Sequence, residues 1–439
     1  MALRNSATEI KLSEEQRLAK NKRIAKTIQE TRNKRGQMDC KVFTLKIQTN
    51  KLNASQREAL KMQFVEAKWL RNHIIASGAI ATYQLTRTVQ VKTKDGELES
   101  REFNHLGSQM RQSVLQQVKN DLRGLVARKT NGGKVGKLKF ASDYKSLDLK
   151  QHGNTYRFKS ASKLKIQNIP GYLRVNGWKQ LEWADELANA KLLNKPDGYY
   201  LAVTCYRAKT KQEEGFQADT IIGLDMGVAT HLTLSNGVKV NASVQETERL
   251  RRLQRKLSRQ VKGSKNHWKT KTLIQREYQR MTNKKDDLAN KIVADLIKNE
   301  VVCLQDENLA GWRRKNGYIR GGKKLHHSVL GRVKAKLVAS DRVVVLRKDA
   351  ATTQTCVCGE RRKLHVSERQ YFCGACGYSQ DRDVHAAQNM VRMVKQSAKK
   401  TTLPVGRRLE LVERLLDADS KEFALSAAKQ EATSYLCSL

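Results

Sequence analysis

Two short apolar runs in the second half of the chain end in acids, and they restrict the fold more than any other feature. Residues 221–225 (IIGLD) read as a buried strand closing on Asp225, followed by Gly227, an alternating run at 231–234 and an Asn236-Gly237 turn. That pattern predicts a hairpin with a carboxylate at its centre. Residues 301–304 (VVCL) form a second run of this kind, ending in Gln305, Asp306 and Glu307, and 343–346 form a third. An Asp381-Arg382-Asp383 cluster then opens a helical stretch at 384–393. If the strands are neighbours in one sheet, Asp225, the 305–307 group and Asp383 converge. Converging carboxylates repel unless cations sit between them. Hard divalent ions such as Mg²⁺ favour such oxygen ligands, and two of them about 4 Å apart clamp the attacking water and the leaving oxygen of a phosphodiester. The plainer reading is strand-terminal acids facing solvent.

Cysteine spacing adds a second constraint. Cys373-x-x-Cys376-Gly377 has the spacing of a zinc knuckle, and Cys356-x-Cys358-Gly359 is a partner one residue shorter than usual. Four thiolates are the most economical ligand set, with His365 as a replacement if the short knuckle cannot close. A metal here is structural, because the loop it ties holds too few apolar residues to fold alone. Cys40, Cys205, Cys303 and Cys437 are scattered, so a disulfide framework is not expected.

Charge narrows the partner. The 85 Lys and Arg against 43 Asp and Glu leave a formal net charge of +42 over 439 residues, which calls for a polyanion, and nucleic acid is the usual one. Residues 249–285 carry fourteen Lys or Arg and one acid, Glu277, on a helical pattern broken at Gly263-Ser264. A solvated helix normally mixes its signs, so Arg251, Arg252, Arg255, Lys256, Arg259, Lys262 and Lys265 are candidate nucleic-acid contacts. No run of about 18 apolar residues spans a bilayer and no signal-peptide core opens the chain, so a cytoplasmic, nucleoid-associated bacterial protein without membrane contact is expected.

The first half is read more coarsely. Residues 1–38 are a basic extension, helical or irregular. Residues 41–47 alternate as a strand does, and helices are predicted from Ser55 through Ile74 and over 106–128, with a turn near Asp95-Gly96. From Asn131 the texture turns β-rich, with short alternating runs at 137–140, 155–158 and 163–169. An Asp197-Gly198 hairpin arm follows. Trp69, Arg71 and Lys137 are the nucleic-acid candidates of this half, against placement in the core or in solvent.

At this point the sequence resembles the TnpB proteins of insertion sequences and the compact type V CRISPR effector nucleases. The stretches that carry the resemblance are IIGLDMGVATHLTLSNG (221–237), RLRRLQRKLSRQVKGSKN (249–266), VVCLQDENLAGW (301–312), HHSVLG (326–331), TTQTCVCGE (352–360) and FCGACGYSQDRDVHAAQNM (372–390). It is strong over 216–398 and only textural before that. The resemblance implies an α/β RNase H-like (RuvC) nuclease domain with an inserted zinc ribbon, preceded by a β-barrel wedge domain with a helical recognition insertion. The corresponding divisions are a basic extension at 1–38, the wedge at 39–215 with its insertion at about 55–130, and the nuclease at 216–350 and 379–398. The ribbon is at 351–378 and a tail at 399–439.

It further implies an Mg²⁺-dependent, RNA-guided DNA endonuclease, with two catalytic Mg²⁺, a structural Zn²⁺ on Cys356, Cys358, Cys373 and Cys376, and guide RNA and double-stranded target DNA as partners of a monomer or homodimer. The family's first and third acids map onto Asp225 and Asp383. Its middle glutamate falls on Gln305 when Asn308, Leu309 and Gly311 are aligned, and an amide cannot serve as an anionic ligand. Glu307, two residues on, shares a face with position 305 in an extended segment and is the expected substitute as catalytic and Mg²⁺-binding residue; Asp306 lies on the other face. The competing reading is a nuclease-inactive, RNA-guided DNA-binding protein, a repressor or targeting module; a strand-joining transposase is a third. His385 stands where the family has Asn, with a helix-capping or packing role expected. Arg382 is placed either to contact a phosphate or to form a structural salt bridge.

Overall fold

A computed structural model describes residues 13–93, 95–160, 162–209, 220–298, 300–313, 322–340, 342–365 and 367–399. The first twelve residues of the basic extension, the inferred boundary near Gly215, Cys437 and the tail beyond Lys399 lie outside them. The chain divides into two compact units, 1–213 and 214–439.

The first unit opens with α1 (Glu14–Gly36), started by a capping box between Ser13 and Gln16. The basic extension is therefore helical over its described part. Next come β1 (Met38–Ile47), α2 (Ala54–Ala76), β2 (Thr88–Lys92), β3 (Leu98–Glu102) and α3 (Ser108–Thr130). The turn expected at Asp95-Gly96 is the tip of a β2–β3 hairpin, with Gly96 in the left-handed region at φ +96°. Helix α2 buries Leu60, Phe64, Leu70 and Ile74 and α3 buries Met110, Val114 and Val118, the i, i+4 spacing that puts one stripe on the core.

Then follow β4 (Ser146–Leu149), β5 (Tyr156–Ser160), β6 (Lys163–Ile166), β7 (Leu173–Asn176), β8 (Glu186–Lys195) and β9 (Gly198–Ala208). With β1 they make a seven-stranded sheet in the order β4-β8-β9-β1-β7-β6-β5. No β4–β5 ladder closes it among the described residues, so the barrel is only partial in its backbone bonding. The sheet does curl: the Tyr156 hydroxyl at its β5 edge donates to the Ala188 carbonyl of β8 at 2.9 Å, buried. The strand expected at 137–140 is absent. The backbone just beyond it is held by a side chain instead, with Asn72 accepting from the Ala141 N–H at 2.7 Å and donating to its carbonyl at 3.0 Å.

The second unit contains β10 (Thr220–Met226), β11 (Leu232–Leu234), β12 (Lys239–Val240), α4 (Glu248–Ser258), α5 (Lys265–Leu296) and β13 (Glu300–Gln305). It continues with α6 (Gly322–His327), α7 (Leu330–Val338), β14 (Val343–Leu346), β15 (Gln370–Phe372), β16 (Ser379–Asp381) and α8 (Arg382–Lys399). Its sheet runs β12-β11-β10-β13-β14, antiparallel across β12, β11 and β10 and parallel across β10, β13 and β14. It is the mixed α/β sheet that the resemblance led one to expect.

Helices cover both faces, which is why the parallel strands read as unbroken apolar runs. Ile222, Leu224, Val302 and Leu304 pack with Ile292 and Leu296 of α5 and Val333 and Leu337 of α7. On the other face Val301, Cys303, Val344 and Leu346 meet Met390 and Val394 of α8. Helix α8 crosses β10 so closely that a Cβ on Gly223 would lie 1.9 Å from the Ala387 carbonyl oxygen. Only glycine fits there, and the approach brings the start of α8 to the end of β10.

Candidate functional site

Strand period and register together place the acids. Asp225 follows Leu224, which pairs with Leu304 in the parallel ladder, so Asp225 and Gln305 emerge side by side where β10 and β13 end. Two residues before Asp225 on the same face is Gly223, the position α8 touches. Asp383 sits in the first turn of α8. Asp381 is the residue that caps this helix, its carboxylate accepting from the backbone N–H groups of Asp383 and Val384 at 3.1 Å each. The two acids of the Asp-Arg-Asp cluster are thus divided: one holds the helix, the other is left for the site.

Asp225 feels the charges of both other acids. Burial, then the negative charges of Asp383 and Glu307, push the Asp225 carboxyl up to about 8, with Arg382 opposing. Burial also raises Glu307, opposed by Lys334 and Lys348. Asp306 is exposed and ion-paired to Lys334 at 2.7 Å, and its charge also raises Glu307. Arg382 lies 3.5 Å from Asp383 and is largely covered. The carboxylates are not drawn together as tightly as the thiols, which are the only group of metal-ligating side chains within 4.8 Å of one another among the described residues.

Gln305 is held as a neutral amide. It is buried, its Nε2 donates to the carbonyls of Arg347, Lys348 and Ala350 at 3.2, 3.0 and 2.7 Å, and its Oε1 accepts from the Thr352 hydroxyl at 3.0 Å. The polar chain continues into α8, where Asn389 Nδ2 donates to the carbonyls of Thr352 and Thr355 at 2.6 Å each and lies 3.0 Å from His385 Nε2. His385 does not cap α8. It is fully buried and stacked on Tyr371 at 3.8 Å, and burial lowers its pKa. Sequence reading missed this network, whose only local signal was polar Thr352 and Asn389 among residues that otherwise pack.

The four cysteines form a real ligand cage. Cys356 and Cys376 sulfurs lie 3.5 Å apart and Cys358 and Cys373 sulfurs 3.7 Å. A tetrahedral ion with metal–sulfur bonds of about 2.3 Å requires sulfurs about 3.8 Å apart, so the cage fits zinc. The short knuckle closes because Gly359 and Gly377 take φ of +94° and +71°, letting their N–H groups bond back to the Cys356 and Cys373 carbonyls at 3.1 and 2.9 Å. His365 is not part of the cage; its Nδ1 lies 2.7 Å from the Ser367 hydroxyl. The Cys356 thiol is brought down to about 6: burial opposes this, but the Cys358 backbone N–H and the neighbouring thiols outweigh it.

The basic candidates lie on α4 and the turn before α5. Arg251, Arg252 and Arg255 are exposed and surround a single carboxylate, Glu248, at 3.8, 3.5 and 3.0 Å. Lys256, Arg259, Lys262 and Lys265 are exposed too. Three other cations of the stretch have partners within the fold: Arg249 and Arg280 reach buried Glu277 at 3.2 and 2.6 Å, and buried Lys285 donates to the His326 carbonyl. In the first unit Trp69 lies under the Arg101 guanidinium and packs on the core, and Arg71 pairs with Asp121 at 2.8 Å, so both are structurally engaged, while Lys137 is exposed.

The fold and the thiol cage define a class: an α/β unit on a mixed five-stranded sheet, bearing a cysteine cluster suited to zinc. Comparison narrows it. A family model named OrfB_IS605 and described as a probable transposase matches residues 204–303, and a Cas12f1-like TNB domain model matches 326–390. Over these two stretches the chain is similar to those families. A "Putative RNA-guided DNA endonuclease" of Streptomyces pristinaespiralis is 29% identical over 178 residues, 39% of this chain and 44% of that one. A "Putative RNA-guided DNA endonuclease InsQ" of Escherichia coli (strain K12) is 27% identical over 267 residues, 54% of this chain and 65% of that one. The chain therefore spans less than two thirds of either relative. A solved Cas12f1-sgRNA-target DNA complex covers 81% of this chain and 99% of its own at 12% identity and a TM-score of 0.38, a likeness too weak to carry an argument. No described helix is long and apolar enough to cross a membrane.

Proposed function

We propose that this protein is an RNA-guided DNA endonuclease in which Asp225, Glu307 and Asp383 hold Mg²⁺. The observation that carries the reading is the register of the parallel ladder, which sets Asp225 beside Gln305 at the end of β13, with α8 crossing β10 at Gly223. The names of the two bacterial relatives, both called RNA-guided DNA endonucleases, support it. A carboxyl kept protonated to about 8 by burial and its neighbours is a poor anion by itself and becomes a good ligand once a cation arrives. When bound, two such ions polarise the scissile phosphate and activate the attacking water. Arg382 and the N-terminal end of α8 add positive potential where a phosphate would approach.

The first unit supplies the wedge, with the α2, β2–β3 and α3 segment as its recognition insertion. The exposed cations of α4 hold guide or target phosphates. The four cysteines bind Zn²⁺ as a structural clip, and the protein works beside the nucleoid. One observation favours a second reading: an amide, Gln305, fills the place next to Asp225, as in a guided binder that does not cut.

The test is to purify the protein from cells carrying its native flanking DNA, sequence the RNA that accompanies it, and incubate the complex with matched double-stranded DNA in Mg²⁺. One discrete RNA and guide-dependent cleavage is the expected result. A discrete RNA with binding but no cleavage would establish the binder. Heterogeneous RNA stripped by salt would overturn guided targeting altogether.

A further inference from the structure

Resting on the active reading above, we infer that Gln305 is a positioning residue whose amide donor locks the β13–β14 end, so that Glu307 and not position 305 faces the metal. A glutamate at 305 would be harmful rather than restorative.

The argument is one of donors and acceptors. Three backbone carbonyls, those of Arg347, Lys348 and Ala350, aim at Gln305 Nε2 within 3.2 Å. A carboxamide nitrogen has two N–H groups to offer them; an ionised carboxylate has none and would set negative oxygen against three carbonyl oxygens in a buried place. On the other side Gln305 Oε1 takes the Thr352 hydroxyl, and the Thr352 carbonyl in turn accepts from Asn389. The amide thus ties β13, the turn after β14, the approach to the thiol cage and α8, the helix that also presents Asp383.

Glu307 hangs on the same turn. Its N–H bonds back to the Gln305 carbonyl at 2.8 Å, and the Asp306 N–H bonds to the Leu346 carbonyl at 3.0 Å. Freeing the 347–350 turn therefore disturbs the backbone that carries Glu307. Position 305 is then a brace, and the acid function is carried two residues on, by the turn beyond the end of β13.

The experiment compares wild type, Gln305→Glu, Gln305→Met and Glu307→Gln as the purified RNA complex, reading thermal midpoint and guided cleavage from pH 5.5 to 8.5. At pH 8, Q305E is expected to melt at least about 5 °C lower and to cleave at least 10-fold more slowly. Both should recover toward wild type, relative to wild type at the same pH, as the pH falls and the new carboxyl takes up a proton it can donate. Q305M, which keeps the shape without the donors, should lose stability at all pH values with no such recovery. E307Q should lose cleavage while its midpoint stays at or above wild type. A Q305E protein with wild-type stability and equal or faster cleavage across the range would overturn the brace and make 305 a ligand position. If wild type itself does not cut, the nuclease reading fails, while the pH-dependent melting of Q305E still decides whether the brace exists.

Discussion

At the residue scale the three acids differ in what they can be asked to do. Replacing Asp225 or Asp383 by Ala, or Glu307 by Gln, is expected to lower guided cleavage at least about 100-fold, because each removes a charge that would hold the catalytic cations. Asp306→Asn should cost less than about threefold, since that carboxylate is exposed and held in a surface ion pair with Lys334. Cleavage of a labelled duplex at fixed RNA loading measures all four. The raised Asp225 carboxyl also makes a stability statement with a definite sign. Its folded pKa, about 8, lies above the ordinary value of 3.8, so the folded state holds the proton more tightly. That contribution is whole below about pH 4 and is lost as pH rises toward 8. Without divalent cations, Asp225→Asn should therefore be more stable than wild type at pH 8.5, by several kcal/mol at about 1.4 kcal/mol per unit of the rise, and the gap should close near pH 4. Melting in chelator across that range would show it, and a gap that widened toward low pH would contradict it.

At the element scale the packing of α8 on the sheet positions the site. Gly223→Ala places a methyl 1.9 Å from the Ala387 carbonyl oxygen, a backbone atom that no rotamer change can move aside. The helix must shift, carrying Asp383 with it, at a cost of about 1–3 kcal/mol as overpacking usually has. A lower melting point and cleavage reduced more than stability explains are the expected results. The thiol cage is the second such element. Cys373→Ser should reduce bound zinc to background by elemental analysis and lower the melting point, because the cage is packed only with Tyr371, Leu364 and Tyr378 and has little apolar core of its own. Most strands and helices could be read from period alone, since alternation and the i, i+4 stripe are local. The β2–β3 hairpin could have been read too, from its alternation around Gly96. The coil at 137–140 could not, because what satisfies the adjoining backbone is Asn72, far away in sequence.

At the scale of the whole molecule the excess of cations is the dominant quantity, and the structure shows how little of it is neutralised. Three guanidiniums on α4 share the one carboxylate of Glu248. Converting Arg251, Arg252 and Arg255 together to Gln should flatten the dependence of log affinity for single-stranded RNA on log salt by about 2, near 0.7 for each lost phosphate contact. Fluorescence anisotropy over a salt series would measure the slope, and an unchanged slope would remove α4 from the interface. The sequence by itself determined the charge, the paired cysteines, the strands that end in acids and most of the helices, because those depend on residue chemistry and short-range period. Which residues lie beside Asp225, which basic residues are spent on Glu277 or on a backbone carbonyl, and what the Gln305 amide bonds to were decided only by tertiary structure. Each depends on partners tens of residues away, brought alongside by the parallel pairing of β10 with β13 and by the close crossing of α8 over Gly223.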